Sequence, residues 1–175
     1  MSTFLEEEGI TLFEGYKASN IPPDADVIVI GNAMSRGNEE VEAVLQRRLR
    51  YLSLPETMKE YFLRGKRNYV VTGTHGKTTT TSMLAWLMED SGLNPSFMIG
   101  GIARNLGRGS RFTDSDFSVL EGDEYDTAFF DKRSKFLHYL PELVVINNIE
   151  FDHADIYNSL EEIKLSFRRL TQICL

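Results

Sequence analysis

The sequence predicts an α/β fold with a mostly parallel sheet, on three observations. Short apolar runs of strand type alternate along the chain with amphipathic stretches of helical type. The glycine-rich stretch Gly73-Thr74-His75-Gly76-Lys77-Thr78-Thr79-Thr80 lies between such a run, Tyr69-Val70-Val71, and such a helix. Polar clusters follow three of the runs, at the strand ends where ligands gather in open parallel sheets.

Ile10-Thr11-Leu12-Phe13 reads as a short first strand. Val27-Ile28-Val29-Ile30, entered from Pro22-Pro23-Asp24, is a continuous apolar run ending at Gly31, the pattern of a buried parallel strand. A helix is predicted over 38–50, with Val41, Val44, Leu45 and Leu49 on one face. Glu39 and Glu40 stand in its first turn and Arg47, Arg48 and Arg50 in its last, as the helix dipole prefers. Pro55 opens another helix, carrying Met58, Tyr61 and Phe62 and closed by Gly65. Arg64-Gly65-Lys66-Arg67 then reads as a charged, solvated linker into a second α/β unit. After the glycine-rich loop, Thr80, Met83, Leu84, Leu87 and Met88 mark the core face of a helix that Gly92 ends. Phe117-Ser118-Val119-Leu120 and Leu143-Val144-Val145-Ile146 are the remaining strong strands. Ser159 with Glu162 makes a capping box for a last helix facing the core through Leu160, Ile163, Phe167 and Leu170.

The 175 residues, 42% of them hydrophobic, can bury a substantial core. A formal charge of −7 argues against bulk attraction to nucleic acid or to an anionic membrane. Cys174 is the single cysteine, so no internal disulfide forms and a reducing cytoplasm is the expected setting. No apolar run approaches membrane-spanning length, and the N-terminus lacks the form of a signal peptide.

The glycine-rich loop has the composition of a phosphate cradle. Its glycines permit a tight turn that aims N–H groups inward, the following helix adds partial positive charge, and Lys77 adds a full one. The Thr78 hydroxyl suits a magnesium ion. The spacing is tighter than the usual phosphate-loop pattern, with Val71 standing where that pattern has its first glycine. Glu121-Gly122-Asp123-Glu124-Tyr125-Asp126 is by composition a solvated acidic turn, but Glu121 ends a strand, where a nucleotide-binding protein holds magnesium. In the third cluster His153 stands between Asp152 and Asp155, which leaves a metal role, a phosphate role and a structural one open. His75 reads equally as solvent-facing. Lys132, Arg133 and Lys135 face either an anionic substrate or water, and Phe129-Phe130 before them reads as core.

Together these clusters resemble the Mur ligases of peptidoglycan synthesis. Thr72 to Thr78 matches their Thr-Gly-Thr-x-Gly-Lys-Thr loop, Glu121 to Asp126 their acidic motif, and Asn148 to Asp155 their third cluster. Within the family the segments 30–38, 124–136 and 147–155 resemble a member that joins UDP-N-acetylmuramate to the murein tripeptide L-Ala-γ-D-Glu-meso-diaminopimelate in peptidoglycan recycling. The L-alanine-adding ligase is the first alternative, and a stand-alone phosphate-loop ATPase or an inert nucleotide-binding fragment the next.

The resemblance implies part of a Rossmann-like domain for the UDP-substrate over 1–66 and part of a P-loop-type ATP-binding domain over 67–175. It implies ATP and Mg2+, with Gly73, Thr74, His75, Gly76, Lys77, Thr78 and Thr79 around the phosphates. Lys77, Glu121 and His153 would be the catalytic residues, with Thr78 and Glu121 on one magnesium and His153 on a second. It also implies a ligase fragment that forms no amide bond by itself, and Gly122 stands where relatives have alanine.

Overall fold

Parallel pairing organises the chain, as the alternation of elements requires. The computed structural model describes residues 2–150 and 159–175. Helix α1 spans Ser2–Glu7. Residues 10–13 then run as irregular chain, with Ile10 and Phe13 at least half exposed, so the strand expected there does not form. An isolated apolar run without a neighbouring strand gains no ladder.

Strand β1, Ile28–Ile30, pairs in parallel with β2, Tyr51–Ser53, which the sequence reading did not foresee. Between them lies α2, Glu39–Gln46. The Asn38 side chain caps it by accepting from the N–H groups of Glu40 and Val41 at 3.0 and 3.2 Å. The helix ends four residues earlier than predicted, because Arg48 takes a left-handed φ of 52°. Its arginines therefore follow the helix instead of occupying its last turn. Ile21, Ile30, Val41, Ala43 and Val44 form a small core under this unit.

Helix α3, Leu54–Met58, carries Pro55 in its first turn and a full capping box between Ser53 and Glu56. It continues as one wider turn over Lys59–Leu63 and stops at Gly65, φ 80°. The basic stretch after it is anchored, unlike the solvated linker expected. Arg64 pairs with Glu60 at 2.8 Å, and Lys66 donates to the carbonyls of Thr113 (2.9 Å) and Ser115. Arg67 already belongs to the next strand and pairs with Glu142.

The second unit is a five-stranded sheet. Its members are β3 (Arg67–Thr72), β4 (Ser96–Met98), β5 (Ser110–Arg111), β6 (Phe117–Gly122) and β9 (Pro141–Ile146). Their order is β5-β4-β6-β3-β9, and only the β4–β5 pair is antiparallel. Helix α4, Lys77–Asp90, covers one face through Ala85 and Met88, against Phe97, Ile99 and Val119. Met83 and Leu87, expected in that core, are about 60% exposed, and Thr81 and Ala85 take their place. Helix α5, Leu160–Gln172, covers the other face. There Ile163, Phe167 and Leu170 meet Leu63, Val70, Leu120, Phe136 and Tyr139. Ser159 caps α5 by accepting from the Glu162 N–H at 3.4 Å.

A hairpin of β7 (Asp126–Ala128) and β8 (Asp131–Ser134) joins the two units. At its tip Phe129 packs against the small first core, and Phe130 meets Tyr51 edge to face at 5.1 Å. The aromatic pair is thus a contact between units, with Phe130 more than a third exposed. Among the described residues, no helix is long and apolar enough to cross a membrane.

Candidate functional site

The carboxyl ends of β3, β6 and β9 lie side by side, since Val71 is in register with Glu121 on one side and Val145 on the other. The chain leaving each strand therefore enters the same region. This register also explains the loop's tight spacing. Val71 is a fully buried strand residue, so the loop starts only at Gly73.

The loop is shaped by glycine where no other residue fits. Gly73 has φ 127°, and a Cβ there would meet the Asn148 backbone oxygen at 2.9 Å. Gly76, φ 76°, is the N-cap of α4 and offers no side chain to the first-turn N–H groups, the arrangement that suits an anion. The chain after β9 braces the loop from outside. Asn147 Nδ2 donates to the His75 carbonyl and to Thr80 Oγ1, each at 3.1 Å, and Asn148 Oδ1 accepts from the His75 N–H at 2.8 Å. Thr74 Oγ1 bridges both backbone groups of Glu150, at 2.9 and 3.2 Å.

Lys77, Thr78 and Glu121 come together. Thr78 Oγ1 donates to Glu121 Oε1 at 2.9 Å, and Glu121 Oε2 accepts from the Gly100 N–H at 2.7 Å. Lys77 Nζ donates to the Gly73 carbonyl at 2.7 Å and to the Thr74 carbonyl at 3.3 Å. It also lies 3.0 Å from Oε2 of Glu124. Thr79 is exposed on the first turn of α4, and His75 is exposed with its ring 3.8 Å from the Glu150 carboxylate. His153, with Asp152 and Asp155, falls outside the described residues.

The hydroxyl and carboxylate of Thr78 and Glu121 form an all-oxygen donor pair open towards the loop. That chemistry fits a hard cation such as magnesium, which takes one or two protein oxygens and completes its shell with phosphate and water. Among the described residues no group of three or more His, Cys, Asp or Glu side chains forms a metal cage.

Beside this pair opens a cavity of about 260 Å3. Glu121, Asp123, Lys135 and Tyr139 line it from the sheet side, and Gly31, Asn32 and Pro55 from the first unit. Lys135 pairs with Asp123 at 2.8 Å, whereas Lys132 and Arg133 pair with Asp126 and Asp131 inside the hairpin. Of the three cations singled out in the sequence, only Lys135 lines this cavity. Burial, then the charges of Asp123 and Glu121, push the Tyr139 hydroxyl well above the usual tyrosine range.

Sequence reasoning missed Glu124, the Gly100 N–H and the Gly31-Asn32 turn. Four carboxylates in six positions look alike in one dimension, and only the fold assigns each its partner. Gly31 and Asn32 carry a weak signal, in that they end a strand-like run as the other clusters do.

A glycine-rich loop on a mostly parallel sheet, with a threonine–glutamate oxygen pair at adjacent strand ends, defines an α/β domain of the nucleotide-binding class. The chain belongs to the Mur ligase family: the Mur ligase middle domain matches residues 71–174, and the profile described as "Mur ligase family, catalytic domain" matches residues 1–66. It is 51% identical over 97% of its length to the UDP-N-acetylmuramate–L-alanyl-γ-D-glutamyl-meso-2,6-diaminoheptandioate ligase of Haemophilus influenzae. To the Escherichia coli enzyme of the same name it is 50% identical over 99%. It spans 38% of the length of each relative. The crystal structure of the Neisseria meningitides enzyme superposes with a TM-score of 0.94 at 48% identity, covering 99% of this chain and 57% of that one. The UDP-N-acetylmuramate–alanine ligase of Thermotoga maritima superposes at 0.83 with 26% identity, covering 99% of this chain and 39% of that one.

Proposed function

We propose that this chain carries the ATP-binding and carboxylate-activating part of a ligase that joins UDP-N-acetylmuramate to L-alanyl-γ-D-glutamyl-meso-diaminopimelate. Residues 1–66 belong in this reading to a UDP-substrate domain and 67–175 to the ATP domain. The convergence of Lys77, Thr78 and Glu121 at adjacent strand ends carries the proposal. The tripeptide as acceptor rests on 50–51% identity to the Haemophilus influenzae and Escherichia coli tripeptide ligases, against 38% to the L-alanine ligase of Syntrophus aciditrophicus.

In the reaction so proposed, the lactyl carboxylate of the muramoyl group attacks the γ-phosphorus of ATP and ADP leaves. The L-alanyl amine then attacks the acyl phosphate, loses its proton and displaces phosphate. Activation is needed because a carboxylate at neutral pH is a poor electrophile. Residues Gly73 to Thr79 wrap the phosphates, and Lys77 offsets charge on the transferred group. Thr78 and Glu121 would hold magnesium, and His153 a second ion. The metal's contribution is to neutralise phosphate oxygens. The activity belongs in the cytoplasm, in peptidoglycan recycling, where a single free cysteine stays reduced.

The test is a chimera in which this segment replaces its counterpart in the Escherichia coli relative, assayed for UDP-muramoyl tripeptide. Lys77→Ala in the chimera should cost about a hundredfold or more in rate. Near-normal turnover of that variant at saturating ATP would overturn the assignment of Lys77. Preference for L-alanine over tripeptide would overturn the acceptor.

A further inference from the structure

The four carboxylates of the acidic stretch have separate partners, and one partnership has no counterpart in the roles assigned above. Glu121 meets Thr78, Asp123 meets Lys135 and Asp126 meets Lys132, all on partly open side chains. Glu124 is different. Its side chain is 2% exposed and reaches back under the loop to Lys77, whose side chain is 14% exposed. Nζ lies 3.2 Å from Oε1 and 3.0 Å from Oε2.

We propose that Glu124 is the positioning residue for Lys77: its buried carboxylate holds the ammonium in place and opposes polyphosphates that arrive without a metal cation. This rests on the reading of the loop as a nucleotide site.

An ammonium has three N–H donors. The Gly73 carbonyl takes one at 2.7 Å, and the Glu124 carboxylate and the Thr74 carbonyl take the others. A four-carbon side chain is thereby fixed before any ligand arrives, which lowers the entropy lost on binding. The same contact has an electrostatic consequence. A phosphate that approaches Lys77 also approaches a desolvated carboxylate, and like charges in such a setting repel strongly. A triphosphate whose charge is shared with a cation at Thr78 and Glu121 meets less of that repulsion. Glu124 thus favours the metal-charged nucleotide over the bare one.

The inference predicts an opposite sign from a structural defect. In the 175-residue chain, Glu124→Gln keeps the shape and removes the charge. Calorimetric titration should find metal-free ATP bound about tenfold more tightly, and the magnesium complex changed by less than about threefold. Glu124→Asp, which keeps the charge, should retain the discrimination against metal-free ATP. A second readout needs no nucleotide. Acetic anhydride labelling of Lys77, quantified by peptide mass spectrometry against Lys132, should rise several-fold in Glu124→Gln. Removing the carboxylate releases the ammonium from its buried contact and opens it to the reagent.

Weaker or unchanged binding of metal-free ATP by a Glu124→Gln chain with a wild-type thermal melt would overturn the selectivity. Unchanged Lys77 labelling would overturn the positioning. If Glu124→Gln fails to fold, labelling of the Glu124→Asp chain decides, since the shorter side chain should loosen the contact and raise it. A wild-type chain that binds no magnesium nucleotide strikes the nucleotide reading instead, and the labelling arm still tests the contact.

Discussion

The two α/β units of this chain are built from similar local sequence and end in different degrees of enclosure. In the second unit β3 and β6 are flanked on both edges by other strands and on both faces by helices, and Val70, Val71, Val119 and Leu120 are at most 1% exposed. In the first unit β1 has, among the described residues, only β2 beside it, and Val29, in the middle of an equally apolar run, is 45% exposed. Burial of a strand is a property of its neighbours. A two-stranded parallel pair depends on what packs against it, here α2 and the tip of the β7–β8 hairpin.

The contrast can be broken most severely at Leu120, which touches both the sheet and the α5 layer. Leu120→Ala should lower unfolding stability by about 2–5 kcal/mol in urea denaturation, whereas Val29→Ala in the first unit should change it by less than about 0.5 kcal/mol. Comparable losses at the two sites would erase the distinction drawn between them.

Gly122 offers a smaller effect and a sharper one. A Cβ at this position would lie 2.7 Å from Val70 Cγ1 and 3.1 Å from Thr72 Cβ. Gly122→Ala should cost about 1–3 kcal/mol by overpacking, and adding Val70→Ala should restore part of it. Simple additivity of the two substitutions in a double-mutant cycle would show that the pair does not share the space.

In the first unit the comparable local device is the Asn38 cap. Asn38→Ala should cost about 1 kcal/mol of stability and leave nucleotide affinity unchanged, because its side chain serves the cap of α2, which packs into the small first core. A large loss of ATP binding in this variant would mean that the units are coupled more tightly than their contacts imply.

The smallest effect concerns pH at the seam between the units. His138 lies buried with Nε2 3.1 Å from Asp131, and burial, followed by the charge of Arg133, holds its pKa below the usual 6.5. Asp131 and Glu56 oppose that shift without reversing it. The unfolded chain therefore binds the proton more readily, so the His138 contribution is complete above about pH 6.5 and diminishes as pH falls below it. Asp131 itself, held at about 2 chiefly by Arg133, adds no slope in that window. Thermal melts between pH 7.5 and 5 should fall less steeply in His138→Gln than in the unaltered chain, and equal slopes would remove His138 from the account.

Much of this architecture is legible in the residues alone. The strands at 28–30, 67–72, 117–122 and 141–146, the cap Ser159 and the glycine-rich loop all follow from short-range rules. Hydrogen-bonding side chains before apolar runs, and glycines at turns, act over a few residues. The errors also have short-range causes. Met83 and Leu87 satisfy the helical spacing, but α4 buries its Thr81–Ala85–Met88 stripe, with Ala85 and Met88 against Phe97, Ile99 and Val119. The run at 10–13 has strand composition and pairs with no strand among the described residues. Strand β2 was hidden because Tyr51-Leu52-Ser53 is three residues long and gains its order only from β1.

By itself, then, the sequence determined the α/β class, the glycine-rich loop carrying Lys77 and Thr78, the placing of Glu121 at a strand end and the resemblance to the Mur ligases. The tertiary structure alone decided the strand order that sets Glu121 beside Thr78, and the docking of the hairpin on the first unit. It also decided the pairing of Glu124, among four similar carboxylates, with Lys77. The reason is the range of the forces involved. Backbone propensity and capping act between residues close in sequence, whereas register, burial and ion pairing depend on which distant segments share a neighbourhood, and that is known only once the chain has packed.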